Sequence, residues 1–250
     1  MKDLWTLAVL CVLAAGSVVP PNQTGVEAEE AKTPAVVNGD TGVVERIISS
    51  GVTIVYSSKE HEMSMGSGVL YKKGDKWYVM TAAHVVADTE ENSYGCGKII
   101  VMFTPMESDT ATHAWVGTLV AHNGKLDSAV IQIDVADSSG MGGASFAKNA
   151  PKVGRDVYAV GNPAGDINTV TEGIVCHSHR VVEWCDTRHL QITCNGTHGS
   201  SGGGVFTADT GECVGIVVRL NPQSDILMVV PTKEIVAWMH ANNLSAIAPY

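Results

Sequence analysis

The chain has 250 residues and a mass of 26.3 kDa, long enough for one large domain or two small ones around a substantial core. Apolar residues make up 45% and charged residues 17%, which excludes wholesale disorder. Lys and Arg number 16 against 26 Asp and Glu, a formal charge of −10, so the basic face that phosphates demand is missing and nucleic acid is excluded as a partner.

In chain order the first element is an apolar run from Leu4 to Ala15, which follows Lys2 and ends in the small residues Ala14, Ala15 and Gly16. It reads as a signal peptide of residues 1–16 cut before Ser17, and it is short for a bilayer span. An uncleaved anchor and a buried helix are the alternatives. Export predicts a periplasmic or secreted protein that touches a membrane only if this segment is kept. Residues 17–44, with Pro20-Pro21 and the acidic run Glu27-Ala28-Glu29-Glu30 but no hydrophobic period, read as a flexible leader.

Short β-branched runs then follow one another between turn residues: Thr53–Tyr56, Trp77–Met80, Ile99–Phe103, Ala129–Ile133, Val157–Val160 and Val214–Val218. This spacing predicts an all-β sandwich or barrel. The stretch Ser138-Ser139-Gly140-Met141-Gly142-Gly143 reads as a connection between two halves. One helix is predicted over 232–242, with Thr232 as its cap, Glu234 in its first turn, and Ile235, Trp238 and Met239 on one face. A tail of residues 243–250 ends the chain.

Loss of the signal would remove Cys11 and leave Cys96, Cys176, Cys185, Cys194 and Cys213. An odd count leaves at least one thiol without an intrachain partner. The clustering of the last four, in an exported protein, predicts at least one disulfide among them, with the connectivity open. Cys176, His177, His179, Cys185 and His189 superficially resemble zinc ligands, but their spacing fits no finger or ribbon, so no metal is expected.

Three segments carry chemistry. In Gly199-Ser200-Ser201-Gly202-Gly203, glycines flank a serine on what must be a tight turn, the setting in which a base reaches a hydroxyl and backbone N–H groups face an oxyanion. Ser201 is favoured over Ser200 because glycines stand two positions before it and twice after it. Thr81-Ala82-Ala83-His84-Val85-Val86 places an imidazole at a strand-to-turn junction among small neighbours. Asp127 stands at the mouth of the run Ser128–Ile133, where a carboxylate could fix the tautomer of a base histidine. The order His84, Asp127, Ser201 is that of chymotrypsin-type enzymes.

With Gly66-Ser67-Gly68-Val69, Tyr158-Ala159-Val160-Gly161-Asn162-Pro163-Ala164-Gly165 and Thr169-Val170-Thr171-Glu172-Gly173-Ile174-Val175 added, residues 45–242 resemble the HtrA (Deg) trypsin-like serine proteases. The resemblance implies two six-stranded antiparallel β-barrels, about 45–138 and about 150–231, a cleft between them and a C-terminal helix. It implies a serine endopeptidase with Ser201 as nucleophile, His84 as general base and acid, Asp127 as orienting carboxylate, and the N–H groups of Gly199 and Ser201 as oxyanion hole. No cofactor is implied, and the partners are protein or peptide substrates in unfolded or extended form. A non-catalytic chaperone-like or peptide-binding module on the same fold is the alternative. Ser200, Gly204 and Ser128 depart from the family's usual Asn, Pro and aliphatic residue at those positions, and a chain ending at Tyr250 leads to no expectation of a C-terminal PDZ domain. By the same resemblance Asn195 lies at the base of the primary pocket, with Met228 on its wall and His198 at its edge. A neutral Asn195 would leave a substrate cation without a counter-charge, so cleavage after small or aliphatic residues is expected.

Overall fold

Each β-branched run pairs with a strand close by in the chain, and in the computed structural model longer-range pairs, such as Ile54 with Val101 and Ala159 with Val205, complete two closed antiparallel barrels. The structure describes residues 41–58, 62–88, 93–106, 108, 111, 113–182, 185–221, 224 and 226–250. The proposed signal peptide and most of the proposed leader lie outside the described residues.

The first half contains β1 (Gly51–Ser57), β2 (Met63–Lys73), β3 (Lys76–Thr81), the two-residue β4 (Ala87–Asp88) and β5 (Ser93–Tyr94), β6 (Lys98–Phe103), β7 (His113–Asn123) and β8 (Ser128–Ile133). All but β4 and β5 form a closed barrel in the order β1-β2-β3-β8-β7-β6, sealed by pairing of β1 with β6. The second half contains β9 (Asp156–Gly161), β10 (Thr169–Val182), β11 (Cys185–Ile192), β12 (Gly204–Thr207), β13 (Cys213–Asn221) and β14 (Ile226–Pro231), closed in the order β10-β11-β14-β13-β12-β9. Closure removes the open edges that would otherwise invite pairing with other chains.

The two-residue period of a strand sorts side chains between the cores. Along β14, Leu227 and Val229 enter the interior of the second barrel with Val157, Leu190 and Val205. Met228 and Val230 face the other way, into the larger cluster that holds Ile54, Leu70, Val79 and Ile131 of the first barrel. Adjacent residues of one strand thus serve two cores.

Two α-helices bracket the described chain. α1 (Thr41–Ile48) buries Val43, Ile47 and Ile48 and sends the Arg46 guanidinium to the carbonyl of Thr210 at 3.2 Å, which ties the entry of the first barrel to the second. The leader expected up to residue 44 therefore ends in helix, where a buried i, i+4 pair was hidden within the short stretch Thr41–Ile48. α2 (Thr232–Ala241) is the expected C-terminal helix with a different start. Pro231 occupies the N-cap position, and the Thr232 hydroxyl donates instead to the carbonyls of Ala147 and Cys213, at 3.2 and 3.3 Å. Among the described residues, no helix is long and apolar enough to cross a membrane.

The expected disulfide is absent among the described thiols: Cys96, Cys176, Cys194 and Cys213 are free, and the side chain of Cys185 lies outside the described residues. Cys194 and Cys213 are sealed in the interior with their sulfurs directed at the carbonyls of Val157 and Gly215, so neither is offered to a partner cysteine. Burial pushes both thiols up to about 12.

Candidate active site

The first barrel supplies the imidazole and the carboxylate. β3 ends at Thr81, and a 3-10 turn over Ala83–Val86 carries His84 out of the wall while burying Ala83, Val85 and Val86. A tight turn brings Asp127 to the start of β8, with its N–H on the carbonyl of Gly124 at 3.3 Å and a left-handed φ of 47°. A left-handed aspartate is uncommon, and such strain concentrates at functional sites. Both carboxylate oxygens are committed to one partner. Oδ1 accepts the backbone N–H of His84 at 2.9 Å, and Oδ2 lies 2.7 Å from His84 Nδ1. The backbone bond fixes where the ring is rooted, and the ring bond favours the tautomer with its proton on Nδ1 and a lone pair on Nε2. His84 is 47% exposed and Asp127 19%, so the ring faces the solvent side of the pair.

The second barrel supplies the serine loop between β11 and β12. Gly202, with φ +82°, lies so close to Thr81 and Ala82 that a Cβ there would stand 2.1 Å from Thr81 Oγ1. A Cβ on Gly66 would meet Val85 at 2.6 Å and the carbonyl of Ser201 at 3.1 Å. These two close approaches seat Ser201 beside the turn that carries His84. Among the described residues no hydrogen bond joins His84 to Ser201, a common state of unliganded catalytic pairs. The Ser200 hydroxyl is turned inward, where it accepts the N–H of Thr197 at 3.1 Å, while Ser201 stays partly exposed. The packing thus separates two serines that the sequence presents side by side.

Four consecutive backbone carbonyls of this loop, from His198 to Ser201, are occupied. His198 O accepts the N–H of Ala164 at 2.7 Å, Gly199 O the Ser67 hydroxyl at 2.7 Å, Ser200 O the N–H of Gly203 at 3.0 Å, and Ser201 O the N–H of Ser67 at 2.8 Å. The N–H groups of Ser200, Gly202 and Gly203 are also used, on Thr197 O, Val217 O and Ser200 O. Among the described residues, no acceptor takes the N–H of Gly199 or of Ser201. A peptide plane points its N–H opposite to its C=O, so anchoring the carbonyls of His198 and Ser200 also aims these two unclaimed donors. Gly199 is required by geometry: its φ is +94°, and a Cβ would stand 2.3 Å from the carbonyl of Asn162.

The other proposed site residues are distributed less simply. Asn195 lines a small cavity with Thr171, Ser200, Val217 and Leu227. Its carbonyl accepts the Thr171 hydroxyl at 2.9 Å. Met228 does not reach this cavity: it faces the opposite side of β14, and Gln191 Nε2 donates to its sulfur at 3.4 Å. His198 is exposed and does not line it either. Ser67 and Asn162, which the sequence reading quoted without giving them a role, carry much of the polar wiring behind the serine loop. The glycines flanking Ser67 and the turn-forming run from Gly161 to Gly165 were the available signals.

Two six-stranded barrels with an imidazole–carboxylate pair on one and a glycine-flanked serine on the other define the chymotrypsin-like class of fold. Residues 66–216 match the family described as "Trypsin-like peptidase domain", and the chain belongs to that family. It is 30% identical over 188 residues to a "Serine protease HtrA-like" of Staphylococcus epidermidis, an alignment that spans 70% of this chain and 29% of that one. A protein of the same description from Staphylococcus aureus is 30% identical over 199 residues, spanning 71% and 23%. The chain thus spans under a third of the length of these curated relatives. Among solved structures, the serine endoprotease from Yersinia pestis is similar with a TM-score of 0.64 and 25% identity, covering 86% of this chain and 68% of that one. The HtrA-type protease AlgW with tripeptide shares the fold at a TM-score of 0.66 and 23% identity, covering 80% and 62%.

Proposed function

We propose that the protein is a serine endopeptidase acting through His84, Asp127 and Ser201. The carrying observation is the hydrogen-bond pattern of the serine loop, which leaves two N–H groups unclaimed next to an imidazole held by a carboxylate. In this reading His84 Nε2 takes the proton from Ser201 Oγ as that oxygen bonds to the substrate carbonyl carbon. The negative charge then gathers on the former carbonyl oxygen, opposite the N–H groups of Gly199 and Ser201. Collapse breaks the C–N bond, and His84 passes its proton to the leaving amine. Water then repeats the sequence on the ester, releasing the acid and restoring the Ser201 hydroxyl. Asp127 stabilises the transient imidazolium and keeps the ring from turning.

The substrates proposed are unfolded or extended proteins, cut after small or aliphatic residues. Asn195 brings no charge to the cavity it lines, and Leu227 and Val217 give that cavity apolar walls. Export through the N-terminal segment, to the periplasm or beyond the cell, belongs to the same proposal.

The test is labelling of the protein with a fluorophosphonate probe, followed by peptide mapping. Label on Ser201, lost in a folded Ser201→Ala variant, is the expected result. Label that persists on that variant, or that maps to Ser200, would overturn the assignment.

A further inference from the structure

Ser67 lies on β2 of the first barrel and is 1% exposed, yet its main partners belong to the second barrel. Its hydroxyl donates to Gly199 O at 2.7 Å and accepts two bonds from Asn162, from the backbone N–H at 2.9 Å and from Nδ2 at 3.0 Å. One donor and two lone pairs exhaust a hydroxyl, so this one is saturated. Its own N–H donates to Ser201 O at 2.8 Å, and its carbonyl accepts the Thr81 hydroxyl at 2.7 Å. Asn162 is equally committed: Nδ2 also approaches the carbonyl of Val52 at 3.3 Å, and Oδ1 accepts the N–H of Asn168 at 3.2 Å.

We infer that Ser67 is a positioning residue for the oxyanion hole, a role that rests on the serine-peptidase reading above. Two of the four anchored carbonyls of the serine loop, those of Gly199 and Ser201, are held by this single residue through its hydroxyl and its backbone. These carbonyls alternate with those of His198 and Ser200, whose peptide planes carry the two unclaimed N–H groups. Releasing Gly199 O leaves the plane between those two donors held only by the Ser200 N–H on the carbonyl of Thr197 at 3.0 Å, so the φ of +94° on its N-terminal side loses one of its restraints. Because the clamp is rooted in the strand that pairs with β3, it also sets the donors in register with His84. Ser67 touches no substrate; it acts on the reaction only through the loop it holds.

The test compares inactivation by a fluorophosphonate in the wild-type chain, Ser67→Ala, Ser67→Cys and Val101→Ala. The last removes bulk from a fully buried position of β6, within the first barrel and away from the serine loop, as a control for stability. Ser67→Cys keeps the side-chain volume with a weaker donor, and it carries the test if the alanine variant fails to fold. The first-order inactivation rate should fall about 10–100-fold in Ser67→Ala and by an intermediate factor in Ser67→Cys, less than or close to the loss from deleting an oxyanion donor. The probe's apparent binding constant should stay within about threefold, while Val101→Ala reacts at the wild-type rate despite an equal or larger drop in Tm. Wild-type inactivation rates in the folded Ser67 variants would overturn the role of Ser67 alone, as would a rate that falls in step with Tm across all variants. Failure of the wild-type chain to react at Ser201 would overturn the peptidase reading and this role with it.

Discussion

Replacing Gly199 with alanine should separate the chemistry of the site from its stability. The residue sits at φ +94°, where a side chain costs roughly 1–3 kcal/mol in backbone strain. Its new Cβ would lie 2.3 Å from the carbonyl of Asn162, a backbone atom held in place by the bonds around Asn162 and Ser67. The cheaper escape is rotation of the Gly199 peptides, which takes the Gly199 N–H off the line to the oxyanion. One lost oxyanion donor costs about 10²–10³ in kcat, or about 2.7–4 kcal/mol of transition-state stabilisation. The loss in stability should be the smaller of the two effects, because the loop contributes little to either hydrophobic core. The assay is steady-state hydrolysis of a p-nitrophenyl acyl ester, normalised by active-site titration, alongside thermal unfolding. A folded Gly199→Ala protein whose kcat stays within about twofold of wild type would refute the assignment of this N–H.

Asp127→Asn should keep the shape of the site but favour the wrong imidazole tautomer, with a loss of up to about 10⁴ in kcat by analogy with the well-studied protease case. Asp134→Asn, just beyond β8, should be nearly silent, and equal losses in the two variants would remove Asp127 from the mechanism. Iodoacetamide on the native protein should modify exposed Cys96 and spare Cys194 and Cys213 until denaturant is added; mass mapping that finds the buried pair labelled first would contradict the packing. His189 is fully buried, and burial pulls its imidazole below the ordinary 6.5, against a smaller upward effect from the carbonyl of Thr187. The unfolded chain therefore binds the extra proton first, so its contribution to stability is intact above pH 6.5 and is lost as the pH falls toward the depressed value. Urea midpoints should decline over that interval and decline less in His189→Leu; identical slopes would sink the point.

The alternation of short apolar runs with turn residues foretold an all-β sandwich or barrel, and the family resemblance made it two barrels; each such run lies within a strand. β1, β3, β6, β8, β9 and β13 each contain one of the six predicted runs. The strands that escaped lack that signature for physical reasons. β2 opens with Met63-Ser64-Met65-Gly66, and β11 opens with Cys185-Asp186-Thr187-Arg188. Barrel closure imposes pairing that local propensity does not announce. His84, Asp127 and Ser201 were legible from their flanks, since a turn, a strand mouth and paired glycines are local features. Ser67 and Asn162 were not, because their meaning lies in bonds spanning 132 and 95 residues of sequence. Met228, placed on the pocket wall by resemblance alone, lies on a strand whose two-residue period turns adjacent side chains to opposite faces, so its facing was not legible from the sequence.

The candidate catalytic groups come from both halves of the chain, and the clamp between them crosses the seam. A nascent chain that has emerged only as far as Ile133 holds an imidazole and a carboxylate, with no hydroxyl set against them. The serine loop, for its part, takes its shape from Ser67 and Thr81 of the half made first. Hydrolytic power would then be the last property the molecule acquires, arriving only when the two barrels dock. On the proposed reading, such a chain would have no means of cutting its siblings while it is still folding, and damage that loosens the seam would silence it before it unfolds. Docking would serve as its own safety catch.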